Sequence, residues 1–195
     1  NTLKRTEDAA ELLEALVTEL PHQEEPWHQL DRMYRSHEDP SLLASLLVRR
    51  VERVDDKADA VAMLREAASI FSAKLDDHES ALAVLLDAVM KEPEDEALLE
   101  EALTEARAAQ RLDAYVSVAR ETLANLEAEE RSARTCTLAS IMADEADMGF
   151  EAVGLLEETV QALESPIPVL ELLCSQLSKQ ENVTDEARYL HQLFE

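Results

Sequence analysis

The amino-acid sequence predicts an all-α protein, an array of antiparallel helical hairpins, and three observations carry that reading. Only two glycines occur in 195 residues, too few for the tight turns of β-rich folds or the phosphate-cradling loops of nucleotide-binding ones. Leu, Ala and Glu dominate while aromatic residues make up 4%, as in helices whose packed faces are filled by Ala and Leu. The third observation is a repeat. A shift of 72 residues places Ala9 on Ala81, Leu13 on Leu85, Pro21 on Pro93 and Leu43 on Tyr115; a shift of 71 carries Ala81 to Ala152, Leu85 to Leu156 and Val89 to Val160.

Each block divides in two, because the residues that open alternate helices are Trp27, Leu64, Leu99, Thr135 and Leu170, spaced 37, 35, 36 and 35 residues apart. About eleven helices follow. An unpaired helix over 6–20 comes first, and Pro21 to Pro26 leads into a hairpin over about 26–54 that turns at Glu38-Asp39-Pro40. Asp55-Asp56 opens the hairpin over 57–91, whose first helix repeats Leu64, Ala67, Ala68, Phe71 and Leu75 at helical intervals and which turns at Asp76-Asp77. Glu92-Pro93-Glu94-Asp95 opens the next, over 95–127, on Leu99, Ala102, Leu103 and Ala106. The hairpin over 130–164 turns near Gly149, and Ser165-Pro166 to Pro168 leads into the last, over 167–194. Prolines and acidic caps at these breaks stop one helix and start the next. The whole of 1–195 reads as one array. Its last helix keeps an apolar face, Ala187, Leu190 and Phe194, where solenoids normally end on a polar cap; this reads as a segment of a longer protein or as ends that pair with a second copy.

Forty-three acidic against eighteen basic residues give a formal charge of -25, which argues against nucleic acid and anionic membranes as partners. The sequence holds no run of eighteen apolar residues and no basic-then-apolar leader at Asn1-Thr2-Leu3-Lys4-Arg5. Cys136 and Cys174 are too few for a disulfide framework or a zinc site and read as small buried hydrophobes. The cytoplasm is the expected compartment, and the missing initiator Met leaves a removed leader open.

The stretch Leu64, Ala67, Ala68, Phe71, then Ala81, Leu85, Ala88 and Pro93 resembles a tetratricopeptide repeat, with its first-helix anchor, small residue and aromatic, its small second-helix positions and its closing proline. Trp27, Leu30 and Tyr34 resemble a second such first helix. The likeness runs along the whole chain in degenerate repeats slightly longer than the family's; Asp31 stands where the family has Gly, and Thr135 replaces the large anchor. It implies a right-handed α-solenoid acting as a non-enzymatic protein-interaction module without cofactor, whose first helices line a concave groove.

The residues one, five and eight positions past each anchor then face that groove: His28, Arg32 and Arg35; Arg65, Ser69 and Ser72; Glu100, Thr104 and Arg107; Cys136, Ser140 and Ala143; Glu171, Ser175 and Ser178. The expected partner is a protein or peptide, with Arg32, Arg35 and Arg65 as donors to its carboxylates, unless these arginines pair with Glu of adjacent helices. A spacer or oligomerisation scaffold is the alternative. Two motifs speak for chemistry. Asp55, Asp56 and Asp59 resemble the D-D-x-x-D of magnesium-dependent all-helical enzymes, against which stands their place at a helix start, where acids cap. Glu25 and His28 share the Glu-x-x-His spacing of di-iron bundles, but in one copy with Pro26 inside it. Neither motif is complete.

Overall fold

The computed structural model describes residues 2–37, 39–164 and 166–194, with side chains from residue 8 onward. Glu38 and Ser165, which the sequence places in two of the breaks, lie outside the described residues. The described residues form eleven α-helices and one short 3-10 turn, without a strand, so the protein is all-α. None of these helices is long and apolar enough to cross a membrane.

The chain divides into two compact units, Asn1–Gln110 and Arg111–Glu195. The first holds α1 (Thr2–Glu19), α2 (Glu24–Ser36), α3 (Pro40–Val51), α4 (Lys57–Leu75), α5 (His78–Lys91) and α6 (Glu96–Ala108); the second holds α7 (Leu112–Thr122), α8 (Ala128–Asp144), α9 (Gly149–Ala162), α10 (Ile167–Lys179) and α11 (Val183–Phe194). The division falls inside the predicted span 95–127, which contributes to both units.

Acidic residues cap four of the described helices, α3 to α6. Asp39 accepts from the Leu42 amide, Asp56 from Asp59, Asp77 from Ser80, and Asp95 from both Ala97 and Leu98. Each satisfies a donor that the first turn leaves open and sets negative charge at the positive end of the helix.

Helix ends follow a rule that the sequence did not disclose. Asp76, Gln110, Asp147 and Glu181 are left-handed, with φ between 54° and 59°, and lie 34, 37 and 34 residues apart. Just past α4, α8 and α10 this reversal lets the next amide return to the helix: Asp77 to the Phe71 carbonyl at 2.9 Å, Met148 to Met142 at 2.8 Å and Asn182 to Leu177 at 3.0 Å. Glycine is the usual residue there, yet Gly149 and Gly154 both sit inside α9 with ordinary φ. Left-handed positions thus recur at intervals of 34 to 37 residues, carried by residues with a side chain rather than by glycine.

In the first unit Val17 of α1, Trp27, Leu30 and Tyr34 of α2, Leu43, Leu46 and Leu47 of α3 and Ala67 of α4 make one buried cluster. Trp27 keeps its indole N–H satisfied on the Pro21 carbonyl, 3.1 Å away. Tyr34 donates to Glu14 at 2.6 Å, and Arg49 grips both oxygens of the same carboxylate at 2.8 and 2.9 Å. Burial opposes ionisation of Glu14, but Arg49 and Tyr34 outweigh it and hold the carboxyl below its ordinary value; burial and the Glu14 charge push the Tyr34 phenol up. In the second unit Leu138 and Met142 of α8, Leu155 and Leu156 of α9, and Val169, Leu173 and Leu177 of α10 are buried. Thr135 can replace a large anchor at full burial because its hydroxyl faces that of Thr159 at 3.5 Å, which in turn donates to the Leu155 carbonyl.

One register differs from expectation. The third anchor is Leu98, fully buried with Ala102 and Ala106, whereas Leu99 is half-buried. The Asp95 cap fixes the first turn so that 98, 102 and 106, four residues apart, point inward. Leu98→Ala is therefore expected to cost about 2–5 kcal/mol by denaturant unfolding and Leu99→Ala less than half of that. Glu181→Gly, which relieves a left-handed non-glycine residue, is expected to raise stability by about 0.5–1 kcal/mol in the same measurement.

Candidate functional site

The α4 helix runs from its Asp56 cap with Leu64, Ala67 and Ala68 turned inward, which leaves Arg65, Ser69 and Ser72, four and three residues apart, along one edge. Together with Leu85 of α5 and Glu101, Thr104 and Glu105 of α6 they line a cleft of about 400 Å3. The floor is apolar, since Ala68 and Leu85 are buried, and the walls are charged. Thr104 turns its hydroxyl back onto the Glu100 carbonyl of its own helix, 2.9 Å away.

The cleft thus gathers four of the predicted site residues: Arg65, Ser69, Ser72 and Thr104. His28, Arg32 and Arg35 lie on α2, Glu100 and Arg107 on α6, and all five are exposed outside the cleft lining. Spacing missed Glu101 and Glu105. They stand three and seven positions past Leu98, off the one, five and eight positions that the spacing rule uses, so neither Leu98 nor Leu99 as anchor reveals them.

Arg65 is committed within the cleft. It pairs with Glu101 through Nη2 and, at 3.2 Å, through Nε, while Nη1 stands 4.0 Å from Asp95. Hydrogen bonding to Glu101 outweighs desolvation and raises its already high pKa. Arg35 is held by Asp31 of its own helix at 2.9 Å and by Glu66 of α4 at 2.6 Å. Arg32 is looser, 72% exposed and 3.7 Å from Glu25, and His28 stands 3.8 Å from Glu24. Pairing of groove arginines with Glu of an adjacent helix, weighed against partner binding in the sequence, is thus the arrangement present at Arg35 and Arg65.

These pairs belong to a wider pattern. Arg35 to Glu66 and Arg65 to Glu101 join α2 to α4 and α4 to α6, and Arg49 to Glu14 joins α3 to α1, at separations of 31, 36 and 35 residues. In the second unit Lys179 reaches Asp144, Arg120 reaches Glu158 and Tyr189 reaches Glu157, at 35, 38 and 32 residues. Polar contacts recur at one repeat length and link helices two apart in the chain.

The remaining motifs resolve locally. Asp56 of the D-D-x-x-D spends an oxygen on the Asp59 amide, and Asp55, Asp56 and Asp59 are all exposed. Among the described residues no group of three or more His, Cys, Asp or Glu stands close enough to hold a metal ion. Cys174 is buried and Cys136 half-buried, both as free thiols; burial pushes both up, so neither is an activated nucleophile. Cys136 lines a second cleft of about 670 Å3 between α8, the end of α9 and Pro168 of α10. The other predicted groove residues of this unit, Ser140, Ala143, Glu171, Ser175 and Ser178, lie outside it.

His78 guards one wall of the first cleft. Its Nδ1 lies 2.7 Å from Glu105 and its Nε2 3.5 Å from Asp76. The Glu105 hydrogen bond, with the charges of Glu105, Asp76 and Asp77, raises its pKa above the ordinary 6.5. No protein-family model matches the sequence, nor does any curated protein, so function rests on this geometry.

A histidine raised in the folded state stabilises the fold fully below its unfolded pKa, and the stabilisation is lost as pH rises through the folded value. The NMR titration of the His78 ring should accordingly have its midpoint above 6.5, and Glu105→Gln should return it toward that value.

Proposed function

We propose that the chain is a non-enzymatic interaction module of tetratricopeptide-like hairpins, stacked with right-handed solenoid geometry, and that the cleft between α4 and α6 receives a segment of a protein or peptide partner. The reading is supported first by that cleft, where Arg65, Ser69, Ser72 and Thr104 come together from two first-type helices. Ion pairs at one repeat length support the stacking, because they require helices two apart in sequence to lie side by side. Left-handed turns at matching intervals support a repeated hairpin. A partner carboxylate reaches Arg65 only by displacing Glu101.

A second reading, a spacer or oligomerisation scaffold, is favoured by one observation. Val183, Leu190 and Phe194 are 70%, 36% and 84% exposed and, with Ala187, form one stripe of α11. Light scattering over a concentration series separates the two: dimers abolished by Leu190→Glu with Phe194→Glu support the scaffold, and a monomer throughout dismisses it.

The module reading is tested with peptides selected from a random display library on the native chain. Ser69→Trp fills the cleft from an exposed position and is expected to weaken them at least about tenfold, or about 1.4 kcal/mol, while Ala83→Trp on the exposed side of α5 leaves them unchanged. Equal binding by both variants would place the selected peptides elsewhere and refute the cleft.

A further inference from the structure

Resting on the cleft reading above, we infer that the partner segment is cationic: the cleft takes an Arg or Lys side chain whose aliphatic stem lies on Ala68 and Leu85 and whose charged head meets Glu105 and Glu101. The sequence alone points the other way, because four arginines, Arg32, Arg35, Arg65 and Arg107, stand among the predicted groove positions against two glutamates. Pairing reverses the sign. Arg65 is the one basic residue lining the cleft, and its three guanidinium nitrogens face Glu101 and Asp95. Against that single positive charge stand two lining carboxylates, Glu101 and Glu105, with Asp95 beside the Arg65 guanidinium as a third.

Glu105 is the least committed of the three to Arg65. Its hydrogen-bond partner is His78, a group that loses its own charge as pH rises. A cation entering the cleft therefore finds a carboxylate, largely shielded from bulk water at 17% side-chain exposure, that exchanges one weakly basic partner for a permanent charge. The floor completes the match, since a long basic side chain carries three or four methylenes that gain from apolar contact while its head stays solvated. A chain with a formal charge of -25 also draws cations toward every face, so the test must separate the cleft from diffuse attraction.

The experiment uses the full chain, labelled with 15N, and three blocked peptides of Ser and Ala that carry Arg, Leu or Glu at the same alternate positions. The Arg peptide is expected to shift the amides of Ser69, Ser72 and Thr104. Glu105→Gln should weaken it at least fivefold and Glu171→Gln, exposed in the other unit, less than twofold. His78→Gln removes the competing partner and should tighten binding, which keeps the test decisive should Glu105→Gln disturb the fold. Equal weakening by Glu105→Gln and Glu171→Gln reduces the effect to diffuse charge and overturns the inference. Stronger cleft shifts from the Leu or Glu peptide overturn the cationic assignment while leaving the module reading in place. If none of the three peptides moves those amides, both fail.

Discussion

Every α-helix among the described residues is short, between 11 and 19 residues, and the shorter of these are marginal alone in water. Each must bury its apolar stripe at once, and the covering surface nearest to hand is the helix before or after it. Helices accordingly pack mainly on their neighbours in sequence, and the core is distributed rather than central. That constraint favours connections that are short and reversing, caps that fix where a helix starts, and turns that redirect the chain within a few residues. Asp39, Asp56, Asp77 and Asp95 meet the second demand, and Asp76, Asp147 and Glu181 the third.

Burial and charge divide the labour unequally. Leu30, Leu64, Leu98, Leu156 and Leu173 are at most 1% exposed, and each contributes about 1.5–3 kcal/mol by leaving water. The ion pairs are mostly between half-exposed groups, where a pair is worth about 0.2–1 kcal/mol. They are not the main source of the fold's stability. What they fix is register, because a guanidinium gripping one carboxylate of the next equivalent helix favours one sliding position over its neighbours. Glu14 shows the most developed case, shared by Tyr34 and Arg49 from two further helices.

How legible the molecule is in its sequence depends on how local the signal is. Helix positions and acidic caps were readable because both arise within a few residues: Asp56 beside Lys57 announces a start whatever lies across from it. The left-handed turns were not, because the usual marker is glycine and the chain places Asp, Gln or Glu there. The α6 register slipped by one because Leu98, Leu99 and Leu103 offer two overlapping stripes, and only the cap bond from Asp95 to the Leu98 amide chooses between them. At the candidate site the α4 residues were legible, and of the α6 wall only Thr104 was, while Glu101 and Glu105 were not. The pairing of Arg65 with Glu101 crosses 36 residues, and no rule of spacing reveals which acid an arginine will find.

That last gap changes how charge should be read in a repeat protein. Counting side chains on a predicted face treats each as free, and on that count the inner positions of the first unit look basic. In a chain with more than twice as many acids as bases, an arginine placed between two first-type helices meets a carboxylate before any partner arrives. Its bond satisfies the guanidinium and gives the wall a fixed shape, while the charge cancels. What remains unbalanced is the acids that found no arginine, of which Glu105, hydrogen-bonded to the titratable imidazole of His78, lines the cleft between α4 and α6. In a strongly acidic helical chain the arginines build the surface, and the leftover carboxylates give it its charge.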